Sequence, residues 1–129
     1  MEIAEIVAPD HISSFRVILV VDDEPFLLEY VRMVLVRNGY SVMTAQNGEE
    51  AWQLISNPDY SIRLVLTDIV MPGSFDGFEL AERVRRRQLG IPVLFMTGAI
   101  DSDLLDSKKV LLHKPFGPDQ LIAIVREHL

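Results

Sequence analysis

Residues 16–25 read RVILVVDDEP, and this stretch decides the fold class. Arg16–Val21 is β-branched and almost wholly apolar, the pattern of a strand buried on both faces. Three acids follow it directly, and Pro25 then suits the first turn of a helix. The helix is predicted to run to about Asn38, with Leu27, Leu28, Val31, Val34 and Leu35 on one face and Gly39 as its stop.

The same alternation continues downstream. Tyr40–Ala45 reads as a second strand with period-two character. Asn47 is the predicted N-cap of a second helix, with Glu49 and Glu50 in its first turn and its end near Asn57-Pro58. Ile62–Thr67 is a third buried strand. Met71 to Gly77 reads as a loop, and Asp76 as the cap of a helix over Gly77–Gln88 that buries Phe78, Leu80, Ala81 and Val84 before Gly90 stops it. Ile91–Met96 and Val110–His113 complete the strands, and Pro118–Leu129 is the last helix. Five strands alternating with helices predict an α/β domain: a doubly wound parallel sheet, with right-handed crossovers placing helices on both faces. Residues 1–15 read as a leader with weak structure, because Pro9 and Ser13-Ser14 interrupt its few apolar residues, so the domain is expected at 16–129.

Composition narrows the function. The 129 residues suit one domain and one core. The absence of cysteine excludes a disulfide scaffold, thiolate metal sites and thiol catalysis, and fits a reducing compartment. A net charge of −7 disfavours direct contact with nucleic-acid phosphates. No apolar run approaches the length of a membrane span, and residues 1–14, with three acids and no Lys or Arg, do not read as a signal peptide.

In a parallel sheet the carboxyl ends of the strands share one rim, where functional residues gather. Here the first strand ends in Asp22-Asp23-Glu24, the third in Asp68, the fourth in Thr97-Gly98 and the fifth in Lys114-Pro115. Carboxylates meeting there repel and raise one another's pKa unless a cation joins them, and Mg²⁺ with oxygen ligands and retained waters is the natural one. Carboxylates, Mg²⁺, a lysine and the Thr97 hydroxyl together suit a phosphoryl group, and an Asp carboxylate can itself be the nucleophile. Asp68, behind the buried run Leu64–Thr67, is the best candidate. Singly, each residue has an ordinary explanation: the acids before Pro25 as helix caps, Asp68 as a loop-initiating residue, Thr97 as a strand residue and Lys114 as a solvated lysine. Their coincidence on one rim is what these explanations leave unaccounted for. By contrast, His113 reads as a strand-end residue and Arg83, Arg85, Arg86 and Arg87 as a solvated face. Met71, Phe75 and Met96 read as packing groups, and Trp52 as partly buried.

These residues resemble the receiver domain of bacterial two-component response regulators. The matching pieces are VVDDEP (20–25), LTDIVMP (66–72), DGFEL (76–80), FMTG (95–98) and HKPF (113–116), in order and at nearly the family's separations over residues 16–129. The resemblance implies a flavodoxin-like five-stranded sheet of order 2-1-3-4-5 and a cis Lys114–Pro115 peptide. It implies Asp68 as phosphoacceptor, Thr97 as the switch hydroxyl, and Lys114 as the phosphoryl-pairing lysine. For Mg²⁺ it implies the acidic pair Asp22 and Asp23, with Asp23 the direct ligand, together with Asp68 and the Val70 carbonyl. It also implies a cytoplasmic phosphoacceptor rather than an enzyme. The phosphoryl group would come from a histidine kinase or histidine phosphotransfer protein, and an unidentified output protein would read the result, with no nucleic-acid or membrane contact.

Three departures stand out. The loop after Pro72 (GSFDG) is one residue longer than usual and carries Phe75 where Met is common, as in receivers attached to hybrid sensor kinases. Thr97 and Lys114 are only 17 positions apart, so the fourth helix of the family is expected to be shortened or missing. Leu111 stands where an aromatic switch residue is usual. The reading is a stand-alone receiver, since the chain stops at Leu129, with a receiver cut from a hybrid kinase as the alternative. An Asp-nucleophile phosphatase of the haloacid-dehalogenase type would want a DxDx[TV] pattern, but Ile69-Val70 follows Asp68. A flavodoxin-like cofactor binder would want a Ser/Thr/Gly-rich phosphate loop after the first strand, where three acids stand instead. A degenerate receiver acting only as an interaction module is disfavoured by the intact Asp68, Thr97 and Lys114.

Overall fold

The computed structural model describes residues 17–73, 75–87, 89–98 and 111–129. The strands are β1 (Val17–Val21), β2 (Ser41–Ala45), β3 (Ile62–Asp68), β4 (Val93–Thr97) and β5 (Leu111–His113). The helices among these residues are α1 (Pro25–Arg37), α2 (Gly48–Ser56), α3 (Gly77–Arg86) and α4 (Pro118–His128). The strands form one sheet of order β2-β1-β3-β4-β5, and every pairing is parallel. The expected topology is therefore present, and Lys114–Pro115 is cis. The leader at 1–15 and the segment expected to hold a shortened helix lie outside the described residues. None of the described helices is long and apolar enough to cross a membrane.

The sheet separates two apolar layers. On one face Ile18, Val20, Leu64, Leu66, Leu94 and Met96 pack with Leu28, Val31 and Leu35 of α1 and Leu121, Ile122 and Val125 of α4. On the other, Val17, Leu19, Val21 and Val65 pack with Ala51, Leu54 and Ile55 of α2 and Leu80 and Val84 of α3. β1, an interior strand of the sheet, contributes to both and has all five residues at 0 % exposure. Burying each of those side chains contributes about 2 kcal/mol.

The period-two reading of β2 does not hold. Although β2 is an edge strand, Val42 enters one layer while Met43 and Ala45 enter the other, because helices cover both faces there. The other boundaries move by a few residues: α3 stops at Arg86 and β4 begins at Val93 after Pro92. The caps fall as expected, with Glu50 N–H donating to Asn47 Oδ1 (2.8 Å) and Glu79 N–H to Asp76 Oδ1 (3.0 Å).

The long loop after β3 is anchored by Phe75, which is buried. Its ring lies so close to the start of α2 that a Cβ on Gly48 would stand 2.7 Å from it. The Arg83 guanidinium covers the same ring at 4.3 Å from its centroid, and Arg83 and Arg87 lie 6.0 and 5.6 Å from the Trp52 ring centroid. The α3 arginines are thus more than a solvated face. Arg83 and Arg87 pack on aromatic rings, and Arg85 and Arg86 pair with Glu82 and Glu79 along the helix.

Candidate functional site

The carboxyl ends of β1, β3 and β5 bring four of the expected residues together. Asp22 follows β1, and its N–H donates to the Ala45 carbonyl (3.1 Å), extending the ladder with β2 by one bond. Asp68 is the last residue of β3, opposite Met96 of β4. Asp22, Asp23 and Asp68 each offer a carboxylate oxygen, and these oxygens lie within 4.8 Å of one another. Lys114 reaches in from the end of β5, with Nζ 2.8 Å from Asp22 Oδ2 and 3.4 Å from Asp68 Oδ1.

The three acids after β1 divide their work. Glu24 is the N-cap of α1, and its Oε1 accepts from Phe26 N–H (3.1 Å). The capping explanation is therefore correct for Glu24 but not for its neighbours. Asp22 is 1 % exposed, with Oδ1 accepting from Glu24 N–H (2.9 Å) and Oδ2 from Lys114. Asp23 is exposed and open to solvent at the rim.

Asp68 is pinned from one side only. Its Oδ1 accepts from Ile69 N–H (2.9 Å) and faces Lys114, while Oδ2 has no hydrogen-bond partner among the described residues. Burial, with the nearby Asp22 charge, raises its pKa above the ordinary 3.8, and Lys114 offsets only part of that. At Lys114, burial acts to lower the pKa, but the hydrogen bond and charge of Asp22, with those of Asp68, outweigh it and raise the value above 10.5. Lys114 is therefore a cation at every physiological pH. Three carboxylates against one ammonium leave the pocket short of positive charge.

Thr97 ends β4 and is 3 % exposed, and its carbonyl accepts from Lys114 N–H (2.8 Å), which ties the lysine's backbone to β4. Val70, two residues after Asp68, is 72 % exposed on the rim. His113 is an exposed strand end and Met71 and Met96 are buried, as expected. Leu111 opens β5.

Two further residues hold this rim, and only one of them carries a local sequence signal. Gly77 opens α3 against the backbone of Asp68 and Ile69. Its N–H donates to the Ile69 carbonyl (2.8 Å), and a Cβ there would lie 2.2 Å from the Asp68 carbonyl oxygen. Tyr30, on α1, donates from its hydroxyl to the Phe116 carbonyl (3.1 Å), two residues past Lys114. The Asp76-Gly77 pair at a loop–helix junction points to the first, whereas nothing local to Tyr30 points to the second.

A sequence model of the response regulator receiver domain matches residues 18–126. Transcriptional regulatory protein TcrA of Mycobacterium tuberculosis is 37 % identical over 120 residues, covering 89 % of this chain and 46 % of TcrA. Response regulator GtcR of Aneurinibacillus migulanus is 31 % identical over 123 residues, covering 88 % of this chain and 48 % of GtcR. The chain spans about half the length of the curated relatives it matches. Among solved structures, response regulator protein TrrA of Thermotoga maritima, in complex with Mg²⁺-BeF, is 34 % identical with a TM-score of 0.76, covering 88 % of this chain and 99 % of that one. A CheY-like receiver domain protein of Methanospirillum hungatei is 28 % identical with a TM-score of 0.77, covering 88 % and 93 %.

Proposed function

The chain belongs to the response regulator receiver domain family of two-component signalling, and from that premise we propose that Asp68 is its phosphoacceptor, in a reaction that depends on Mg²⁺. The observation that carries the reading is the setting of the Asp68 carboxylate. One oxygen is held by Ile69 N–H and Lys114, the other is unengaged among the described residues, and two more carboxylates stand within 4.8 Å.

The donor set fits Mg²⁺, since all its side-chain atoms are hard oxygens and the pocket lacks positive charge. Asp23 and Asp68 would hold the ion, with the Val70 carbonyl as a further protein ligand. Both Asp22 oxygens already accept hydrogen bonds, so Asp22 completes the acidic set mainly by its charge. When bound, Mg²⁺ supplies positive charge to the phosphoryl oxygens. The TrrA structure, solved with Mg²⁺-BeF, supports this assignment by kinship.

The transfer itself needs little from the protein beyond position and charge. Asp68 Oδ2 attacks phosphorus, and the bond to the imidazole nitrogen of a phosphohistidine donor breaks. The imidazole leaves with the electron pair and takes a proton from solvent. The carboxylate form of Asp68 is the nucleophile and carries no proton to remove, so the step requires no general base. Lys114 stands beside the forming acyl phosphate and balances its charge, and Thr97 supplies a hydroxyl to a phosphoryl oxygen. The donor is a histidine kinase or histidine phosphotransfer protein, and the readout is through protein contacts. Residues 17–129 are assigned no contact with nucleic acid, because the chain's net charge of −7 opposes a phosphate backbone.

The test is incubation with Mg²⁺ and acetyl phosphate followed by intact mass. A gain of one phosphoryl group in the wild type, absent in Asp68→Asn, is expected. Asp23→Ala should weaken Mg²⁺ binding about tenfold or more, because it removes an exposed ligand that no neighbour replaces. A phosphoryl gain that persists in Asp68→Asn refutes the assignment.

A further inference from the structure

Lys114 lies at the head of a short turn, Lys114-Pro115-Phe116-Gly117, that joins β5 to α4. Its ammonium bridges carboxylates at the ends of β1 and β3, so a small shift of the turn changes both distances, 2.8 Å and 3.4 Å, together. The turn is tied at its first residue by Lys114 N–H to the Thr97 carbonyl. At its far end Gly117 is the N-cap of α4, and its N–H donates to Gln120 Oε1 (2.9 Å). The Phe116 carbonyl precedes the cap, so no bond of the helix ladder can use it. Its partner is the Tyr30 hydroxyl, 86 residues away on α1.

Tyr30 is well suited to hold that carbonyl. It sits on the second turn of α1, the helix that starts three residues after Asp22. Its ring packs on the layer formed by α1 and α4, with its centroid 6.2 Å from that of Phe116, which is itself buried. The turn bearing the lysine is thus clamped from β4 at one end and from α1 at the other. The α1 clamp starts from the same connection that carries Asp22 and Asp23.

We infer that Tyr30 is a positioning residue for the phosphoryl site: through its hydrogen bond to the Phe116 carbonyl it fixes the turn that aims the Lys114 ammonium at Asp68. The inference rests on the reading of Lys114 as the cation beside the phosphoryl group. Tyr30 touches neither phosphate nor metal, so its loss should affect the phosphoryl-dependent steps and spare Mg²⁺ binding itself.

Tyr30→Phe removes the hydroxyl and keeps the ring, so the apolar layer is retained. Four measurements are made on the full chain. Phosphorylation by acetyl phosphate should slow about fivefold, the equivalent of one neutral hydrogen bond. Mg²⁺ affinity without a phosphoryl donor should stay within about twofold, because Tyr30→Phe keeps the Lys114 charge and removes none of the proposed ligands. In a Lys114→Met background Tyr30→Phe should cause no further slowing, which a general loss of stability would not reproduce. Amide exchange at Lys114 should rise while amides of β1 stay protected. Equal slowing in both backgrounds, or unchanged exchange at Lys114, overturns the proposal. If the wild type takes no phosphate at all, the phosphoacceptor reading fails. Exchange at Lys114 then still decides whether Tyr30 holds the turn.

Discussion

Gly77→Ala tests the coupling between fold and site directly. The added Cβ would lie 2.2 Å from the Asp68 carbonyl oxygen and 3.0 Å from Ile69 Cα. An ordinary carbon–oxygen contact is about 3.3 Å, so the backbone must part by about 1 Å. No rotamer change can relieve this, because the obstructing atoms belong to the main chain. Overpacking of this kind costs about 1–3 kcal/mol. Parting the chains also strains the 2.8 Å bond from Gly77 N–H to the Ile69 carbonyl, worth about 1 kcal/mol. Alanine regains at most about 1 kcal/mol of helix propensity, and less at the first position of α3. The clash wins, and a net loss of about 2–3 kcal/mol is expected from urea unfolding followed by Trp52 fluorescence. The shift falls on the residue that carries the acceptor carboxylate, and a misplacement of about 1 Å can slow a reaction up to about a hundredfold. Phosphorylation by acetyl phosphate, read by intact mass, should therefore slow by at least about tenfold. Stability within about 0.5 kcal/mol of wild type and an unchanged rate would refute the close approach. A stability loss with an unchanged rate would show that the Asp68 carbonyl moves without its carboxylate.

Three further outcomes follow from the electrostatics and exposure of the rim. Asp68 has a raised pKa in the fold, so its contribution to stability is complete below the unfolded value of 3.8 and is lost as pH rises through the folded value. Asp68→Asn should accordingly be more stable than wild type at pH 7, with the gain shrinking as pH falls toward 3.8, as denaturation at several pH values will register; a less stable variant at pH 7 contradicts the sign. Lys114→Met leaves the buried Asp22 carboxylate without its cation and should cost about 3 kcal/mol in the absence of Mg²⁺. Added Mg²⁺ should raise its Tm more than that of wild type, and an equal rise in both would mean that lysine and metal do not share the same charge deficit. Val70 is exposed on the rim and cannot hydrogen-bond a water, so Val70→Asn should shorten the lifetime of the acyl phosphate severalfold. Decay at the wild-type rate would show that water positioning does not limit hydrolysis.

How much of this was legible beforehand depended on the range of the interaction involved. Caps at Asn47 and Asp76 act over three residues, so spacing alone locates them. The apolar runs of β1 and β3 declare strands buried on both faces, because such strands need apolar side chains on both sides. The strand-end rule then assigns Asp22, Asp23, Asp68, Thr97 and Lys114 to one rim from the sequence alone, since in an all-parallel sheet every carboxyl end lies on the same side. The strand order 2-1-3-4-5 came from family resemblance, since alternation of strands and helices does not specify which strands are neighbours.

What tertiary structure alone decided lies where distant segments meet. The DDE triplet is three similar acids in sequence. Only the arrival of Lys114, 92 residues on, and the start of α1 make Asp22 a buried ion-pair partner and Glu24 a cap, while Asp23 stays open to solvent. β2 mixes polar and apolar residues, yet crossovers lay helices over both its faces, and Ser41, Val42, Met43 and Ala45 are all buried. Arg83 reads as surface charge until Phe75 and Trp52 are brought beneath it. Sequence by itself determined which residues could form the elements and which chemistry could collect at the rim, because those follow from local periodicity and the direction of the strands. Tertiary structure decided which atoms touch, from the Gly77 approach to Asp68 to the Tyr30 bond to Phe116, because contact distances depend on packing that no short window of sequence contains.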